Sequence, residues 1–236
     1  MSKISAYYSE LPSSFADFVD RMAHKARPYV AFTALNAVWR GLDKDARSIL
    51  DVGCGKGEPM RFINRSKGFY TVGLDIFKRY LRECKRHGSH DDYILCDVRM
   101  LPLRERSFDV ALCIEVLEHL ERGHGEGLIQ SIEKMVRKQV IITTPVGVYK
   151  QLYLDKNPYQ EHKWIWSPIE LERFGYKVKG VGIRNIGGEK GLVSRLPKII
   201  RPLCHIVWVL TGLFTYFYPM LAGHVVCVKN LCQVHE

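Results

Sequence analysis

The sequence lacks the features that would commit it to several large protein classes. Its seven cysteines are scattered, with no CxxC pair and no Cys/His cluster at zinc spacing, which argues against a structural zinc site or a disulfide framework. Cys96, Cys113 and Cys227 sit inside apolar runs, where a free thiol behaves as a small buried hydrophobe. A reducing, cytoplasmic compartment is therefore expected. The first residues, with Tyr7, Glu10 and Asp17, lack the apolar core of a signal peptide. No internal repeat and no low-complexity tract interrupts the chain.

What is present is an ordinary globular balance, 47% hydrophobic and 25% charged over 236 residues, enough for one α/β domain with an added lid. The formal net charge of +10 is uneven. Residues 61–86 carry eight Lys/Arg against two acids, and residues 184–201 carry five against one. Such bias marks nucleic acid, an anionic membrane surface or an acidic substrate, or simply a solvated helix face.

Residues 13–40 read as helical, opening at Ser13 or Ser14 and broken near Pro28; residues 1–45 are expected to form a lid ahead of a domain over 46–236. Apolar runs then alternate with helical patterns. Strands are expected over 48–52, 70–74, 93–96, 108–114, 139–144, 177–181 and 224–229, and helices over about 58–66, 77–86 and 125–137. Ser167-Pro168-Ile-Glu170 supplies an N-cap, a proline at the first helical position and an early acid. Continuous apolar strands alternating with helices are the pattern of a parallel sheet covered on both faces.

The strongest motif is Ile49-Leu-Asp-Val-Gly-Cys-Gly-Lys-Gly57. A buried strand runs into closely spaced glycines that open a helix, so the main chain can approach a ligand that side chains would block. Alone this loop is weak evidence, because dinucleotide-binding proteins use a similar turn. Asp75 lies 22 residues past Gly53 at the end of the next strand, where a carboxylate can accept hydrogen bonds from ribose hydroxyls. Asp97 ends the third strand, placed to meet an adenine amino group. Three such positions at successive strand ends make one crevice, and its acidity suits a cationic ligand better than a pyrophosphate.

The string from Ile49 to Gly57 resembles the first motif of class I, Rossmann-like S-adenosylmethionine-dependent methyltransferases, near the branch of ubiquinone and menaquinone biosynthesis. Asp75 matches that family's ribose-binding acid, and Cys96-Asp97-Val98 its adenine-contacting segment. Ser107-Phe-Asp-Val-Ala-Leu and Glu115-Val-Leu-Glu-His119 are similar to its fourth-strand motif. The resemblance implies an α/β fold with a seven-stranded, mostly parallel sheet, helices on both faces and the last strand antiparallel. It also implies S-adenosyl-L-methionine as cofactor, held by Asp51, Gly53, Cys54, Gly55, Asp75, Ile76, Asp97, Val98 and Glu115. In that set Gly53, Cys54 and Gly55 line the methionine moiety, and Asp51 orients the loop or reaches the amino group.

An oxygen acceptor needs a base beside the sulfonium, and two residues bordering the crevice are candidates, His162 after the fifth strand and His119 after the fourth. Glu115, Glu118 and His119 also resemble an acidic–His cluster that some quinone O-methyltransferases use for a divalent cation, magnesium being the suited ion. The same string occurs in relatives without any metal, and none is expected here. Tyr153, Tyr159, Trp164 and Trp166 suggest a wall for an apolar or planar acceptor, or core.

Ile206–Gly223 holds 18 residues without charge, near the lower limit for a membrane span of roughly 20. A single span would leave the last strand across the membrane from its sheet. The apolar insertion over about 192–222 is therefore expected to cover the pocket or to touch a membrane peripherally, with Arg195, Lys198 and Arg201 facing anionic headgroups. The function expected is methyl transfer to a small or lipophilic acceptor. Two alternatives stand beside it: a nucleotide-dependent oxidoreductase, against which Glu58 stands where a further glycine is usual, and a non-catalytic membrane- or RNA-binding protein, which rests only on the basic patches. No RNA-recognition signature is evident, so a nucleic-acid partner is not expected.

Overall fold

The computed structural model describes residues 33–64, 68–147, 154–183, 212 and 214–231. Most of the expected N-terminal lid and most of the insertion over 192–222, with Tyr153, Arg195, Lys198, Arg201 and Trp208, lie outside these residues.

Seven strands form one sheet in the order β3-β2-β1-β4-β5-β7-β6. They are β1 (Ser48–Val52), β2 (Tyr70–Asp75), β3 (Asp92–Leu95), β4 (Phe108–Ile114), β5 (Val136–Pro145), β6 (Lys177–Ile183) and β7 (Ala222–Asn230). Pairings among β1 to β5 are parallel, whereas β7 runs antiparallel to both β5 and β6. Helices α1 (Ala34–Gly41), α2 (Glu58–Ile63), α3 (Lys78–Arg86), α4 (Arg122–Met135) and α5 (Pro168–Arg173) accompany them. The seven strands and the orientation of the last one agree with the sequence expectation.

Alternation along the strands divides the core in two. Leu50, Val52, Ala111, Cys113, Val140 and Ile142 face one way, into a cluster with Leu128, Ile129 and Ile132 of α4. Ile49, Val110, Leu112 and Ile141 face the other way, with Val38 of α1 and Met60 and Ile63 of α2. Strands buried on both faces have no polar alternation, which is why they read as continuous apolar runs.

Local chemistry sets the ends. Thr33 caps α1 by accepting from the Asn36 amide at 3.2 Å. Ser167 and Glu170 form a reciprocal capping box on α5, with Pro168 in its first turn. β5 begins at Val136 rather than Gln139 because α4 passes into it without a loop. Asp109 clamps the lower edge, accepting from the amides of Arg47 (2.8 Å) and Ser48 (3.2 Å) and from Arg137 Nε (3.0 Å). Among the described residues no helix is long and apolar enough to cross a membrane.

The order in which strands are added reverses between β1 and β4, the position at which open α/β sheets bind ligands beyond their carboxyl ends. β7 adds to that edge from the opposite direction, since His224 pairs with Pro145 at the end of β5.

Candidate functional site

The glycine loop leaves β1 with Gly53, Gly55 and Gly57 all at positive φ (73°, 53° and 77°). Their reasons differ. A Cβ on Gly53 would lie 2.4 Å from Val116 Cγ2, and one on Gly57 would lie 2.4 Å from Ser89 Oγ. A Cβ on Gly55 would meet nothing within 4 Å. Packing demands the outer two glycines, while the middle one faces open space at the crevice.

Asp75, the last residue of β2, holds that loop. Its Oδ2 accepts from the Gly55 amide at 2.9 Å and its Oδ1 from the Phe77 amide at 2.7 Å. Burial raises its carboxyl above the usual range, against these two amides, which lower it. Ile76 follows it, half-buried. Asp97 sits one strand further along, bound to Arg99 Nε and Nη2 at 2.9 and 2.5 Å, and this guanidinium holds its carboxyl below the usual range. Val98 beside it is buried.

The side chains of Asp51 and Cys54 turn inward. Asp51 Oδ2 lies 2.9 Å from His90 Nε2, both side chains almost fully buried. Burial opposes a charge on His90, but Asp51 and Cys84 push its pKa up to about 9. His90 Nδ1 lies 3.4 Å from Cys84 Sγ, and Cys54 packs against Leu81 and Cys84. Asp51 thus braces the floor beneath the loop, and the Cys54 backbone is spent within it, its amide donating to the Leu74 carbonyl and its carbonyl accepting from the Gly57 amide, each at 2.9 Å. Nothing in the sequence marks His90 as the partner of Asp51; the two are 39 residues apart.

A second group gathers beyond β4 and β5. The turn Leu117–His119 is knitted to the chain after β5 because the Glu118 carbonyl accepts from the amides of Lys163 (2.8 Å) and Trp164 (3.2 Å). Trp166 anchors this crossing. It is fully buried, donates from Nε1 to the Leu117 carbonyl at 3.1 Å, and fills the space left by Gly125 of α4. It is therefore core rather than pocket wall. Trp164 is half-buried, with the Arg122 guanidinium 5.4 Å from its ring, and Tyr159 is exposed.

The crossing brings His162 to His119, their rings meeting edge-on at 5.0 Å. Burial lowers both imidazoles below the ordinary histidine value, and for His162 the neighbouring His119 adds to it. Both are neutral near pH 7, the form that accepts a proton. Glu115 lies beside them. Partial burial works against its charge, but His224 at 3.4 Å and Thr143 at 2.8 Å hold it below the usual carboxylate range. Glu118 is fully enclosed; burial, then the neighbouring Glu115, push its carboxyl well up. His224 was not singled out from the sequence, because only the antiparallel register of β7 carries it to this edge.

Glu118, His119 and His162 each bring one ligand atom to within 4.8 Å of the others. A buried carboxylate that resists ionisation is what a cation would relieve. Two imidazoles favour zinc over magnesium.

Comparison with known proteins agrees with this architecture. Residues 50–143 match the family model described as a methyltransferase domain. The chain is 28% identical over 187 residues to the sterol 24-C-methyltransferase of Saccharomyces cerevisiae, covering 75% of this chain and 45% of that one. It is 23% identical over 183 residues to the ubiquinone biosynthesis O-methyltransferase of Rickettsia typhi, covering 74% and 72%. A solved methyltransferase from Archaeoglobus fulgidus, 15% identical, shares the fold with a TM-score of 0.51 over 98% of this chain and all of that one. The chain spans less than half the length of the yeast sterol enzyme. Together with the glycine loop, the acid ending β2 and a seven-stranded sheet whose last strand is reversed, these comparisons support a class I, Rossmann-like methyltransferase.

Proposed function

We propose that this protein binds S-adenosyl-L-methionine in the crevice between the glycine loop, Asp75 and Asp97 and transfers its methyl group to a small or lipophilic acceptor in the cytoplasm. The observation that carries the cofactor assignment is the pair Gly55 and Asp75: a main-chain turn open to the crevice, held by a carboxylate with further lone pairs for ribose hydroxyls. Acidic side chains on this edge suit a sulfonium cation. Methyl transfer is an in-line displacement, so the protein's task is to position the acceptor and exclude water. For an oxygen acceptor His162 is the base, with His119 next to it; for a carbon acceptor the same neutral imidazoles would take the proton released after transfer. Relatives of both kinds support either outcome. A methyl-transfer screen with labelled cofactor against a lipid and metabolite extract tests the proposal. Label in a lipophilic product supports it, and no label in any fraction from cofactor-bound protein contradicts it.

A second reading is favoured by one observation, the convergence of Glu118, His119 and His162. Here a divalent cation would fix an acceptor oxygen, and His162 would be a ligand instead of a base. Titration calorimetry with manganese or zinc distinguishes the two. Binding lost in His162→Ala supports the metal; no heat with either ion contradicts it.

A further inference from the structure

We propose that the aromatic rings displayed just ahead of β7 form a docking face for an anionic lipid bilayer, beside the mouth of the acceptor site. This deepens the lipophilic-acceptor reading, and it is measured without turnover, so the two stand or fall separately.

Phe214, Phe217, Tyr218 and Leu221 are 54%, 68%, 56% and 51% exposed. They face outward for a packing reason. Thr215 is buried, and its carbonyl passes so close to Gly180 of β6 that a Cβ there would lie 2.1 Å away. The sheet grips that side of the turn and leaves the rings on the other. The rings pack on one another: Phe214 and Tyr218 stack at 4.6 Å, and Tyr216 and Phe217 meet edge-on at 5.2 Å. An organised apolar platform that stays half exposed marks an interaction site.

Its position and charge name the partner. Ile183 at the end of β6 pairs with Ala222 at the start of β7, so the connection between them leaves from the edge that carries the site. His224, three residues past Leu221, reaches Glu115 at 3.4 Å. The Lys179 ammonium sits 4.2 Å from the Tyr216 ring centroid and donates to its hydroxyl. The sequence joining β6 to the rings carries five Lys/Arg against one acid over residues 184–201. Aromatic rings settle at headgroup depth, and cations beside them meet anionic headgroups. An apolar protein partner would have no need of this cation surplus.

Vesicle sedimentation with the full chain tests the face, using phosphatidylcholine with and without phosphatidylglycerol. The wild-type chain should pellet with the mixed vesicles, release at high salt, and bind neutral vesicles weakly. Phe214→Ser with Phe217→Ser should lower partitioning about tenfold or more, the order expected when two rings no longer enter the bilayer, with the affinity for S-adenosylhomocysteine unchanged. Should that double variant fail to fold, Phe217→Trp is used, and brominated lipid should quench it beyond the wild-type chain's own tryptophans. No wild-type binding, equal binding to neutral and anionic vesicles, or no added quenching would overturn the proposal. So would self-association that the double substitution abolishes in a chain that ignores vesicles.

Discussion

The amide of Gly55 donates to Asp75 Oδ2 at 2.9 Å, so the acid that ends β2 holds the glycine loop that ends β1. The contact couples two features of the crevice, and two of the loop glycines, Gly55 and Gly57, separate its effects. Gly55→Ala places its Cβ in open space at positive φ and should cost about 1–2 kcal/mol of stability, while obstructing the methyl donor. Gly57→Ala drives its Cβ into Ser89 Oγ and Cys84 Sγ, at 2.4 and 2.6 Å, and should cost about 2–4 kcal/mol. Melting curves with and without S-adenosylhomocysteine check this. A Gly55→Ala protein that binds normally would contradict the assignment of that open space to the cofactor.

Asp75→Ala should weaken S-adenosylhomocysteine binding by roughly 1.5–3 kcal/mol through lost charge-assisted hydrogen bonds. Asp75→Asn, which keeps an acceptor for one amide, separates the loop brace from the ribose contact. Calorimetry giving wild-type affinity for both variants would sink the ribose assignment.

His162→Ala should lower turnover by roughly 10²–10⁴-fold if its imidazole is the base, with cofactor affinity nearly unchanged. If the rate holds, His119, 5.0 Å away between ring centres, becomes the candidate, tested by His119→Ala in the same assay.

Asp109 makes a stability prediction separate from the chemistry. Burial pulls its carboxyl up, yet the Arg47 amide and the Arg137 guanidinium outweigh it and hold the pKa below the usual value. A depressed carboxylate contributes fully above the unfolded value of about 3.9 and is lost as pH falls through its lower folded value. Asp109→Ala should therefore cost about 2–4 kcal/mol at neutral pH, because two strand amides and Arg137 lose their partner. The penalty should shrink below about pH 4, where the unfolded chain's carboxyl takes up its proton before the folded one does. Denaturant melts at pH 7 and pH 3 check it; an equal penalty at both would contradict the role given to its charge.

The sheet and the edge where the glycine loop meets Asp75 were legible because they rest on local patterns. Buried strands, closely spaced glycines, the acid ending β2 and the acid just past β3 each announce themselves within a few residues. Pairings made only by folding were not legible. His90 meets Asp51 across 39 residues, and the register of β7 against β5 brings His224 to Glu115. Trp166 belonged as readily to a pocket wall as to the core until Gly125 opened the space it fills. The expected helix 125–137 began late because Arg122-Gly-His-Gly125 carries two poor helix formers in its first turn.

The central claim is that this crevice binds the methyl donor, and titration calorimetry of the full chain tests it most directly. S-adenosylmethionine and S-adenosylhomocysteine should each give saturable one-site binding and raise the melting temperature by mass action on the native state, with NADH giving neither. Binding of NADH, with no response to either sulfur ligand, would contradict the account.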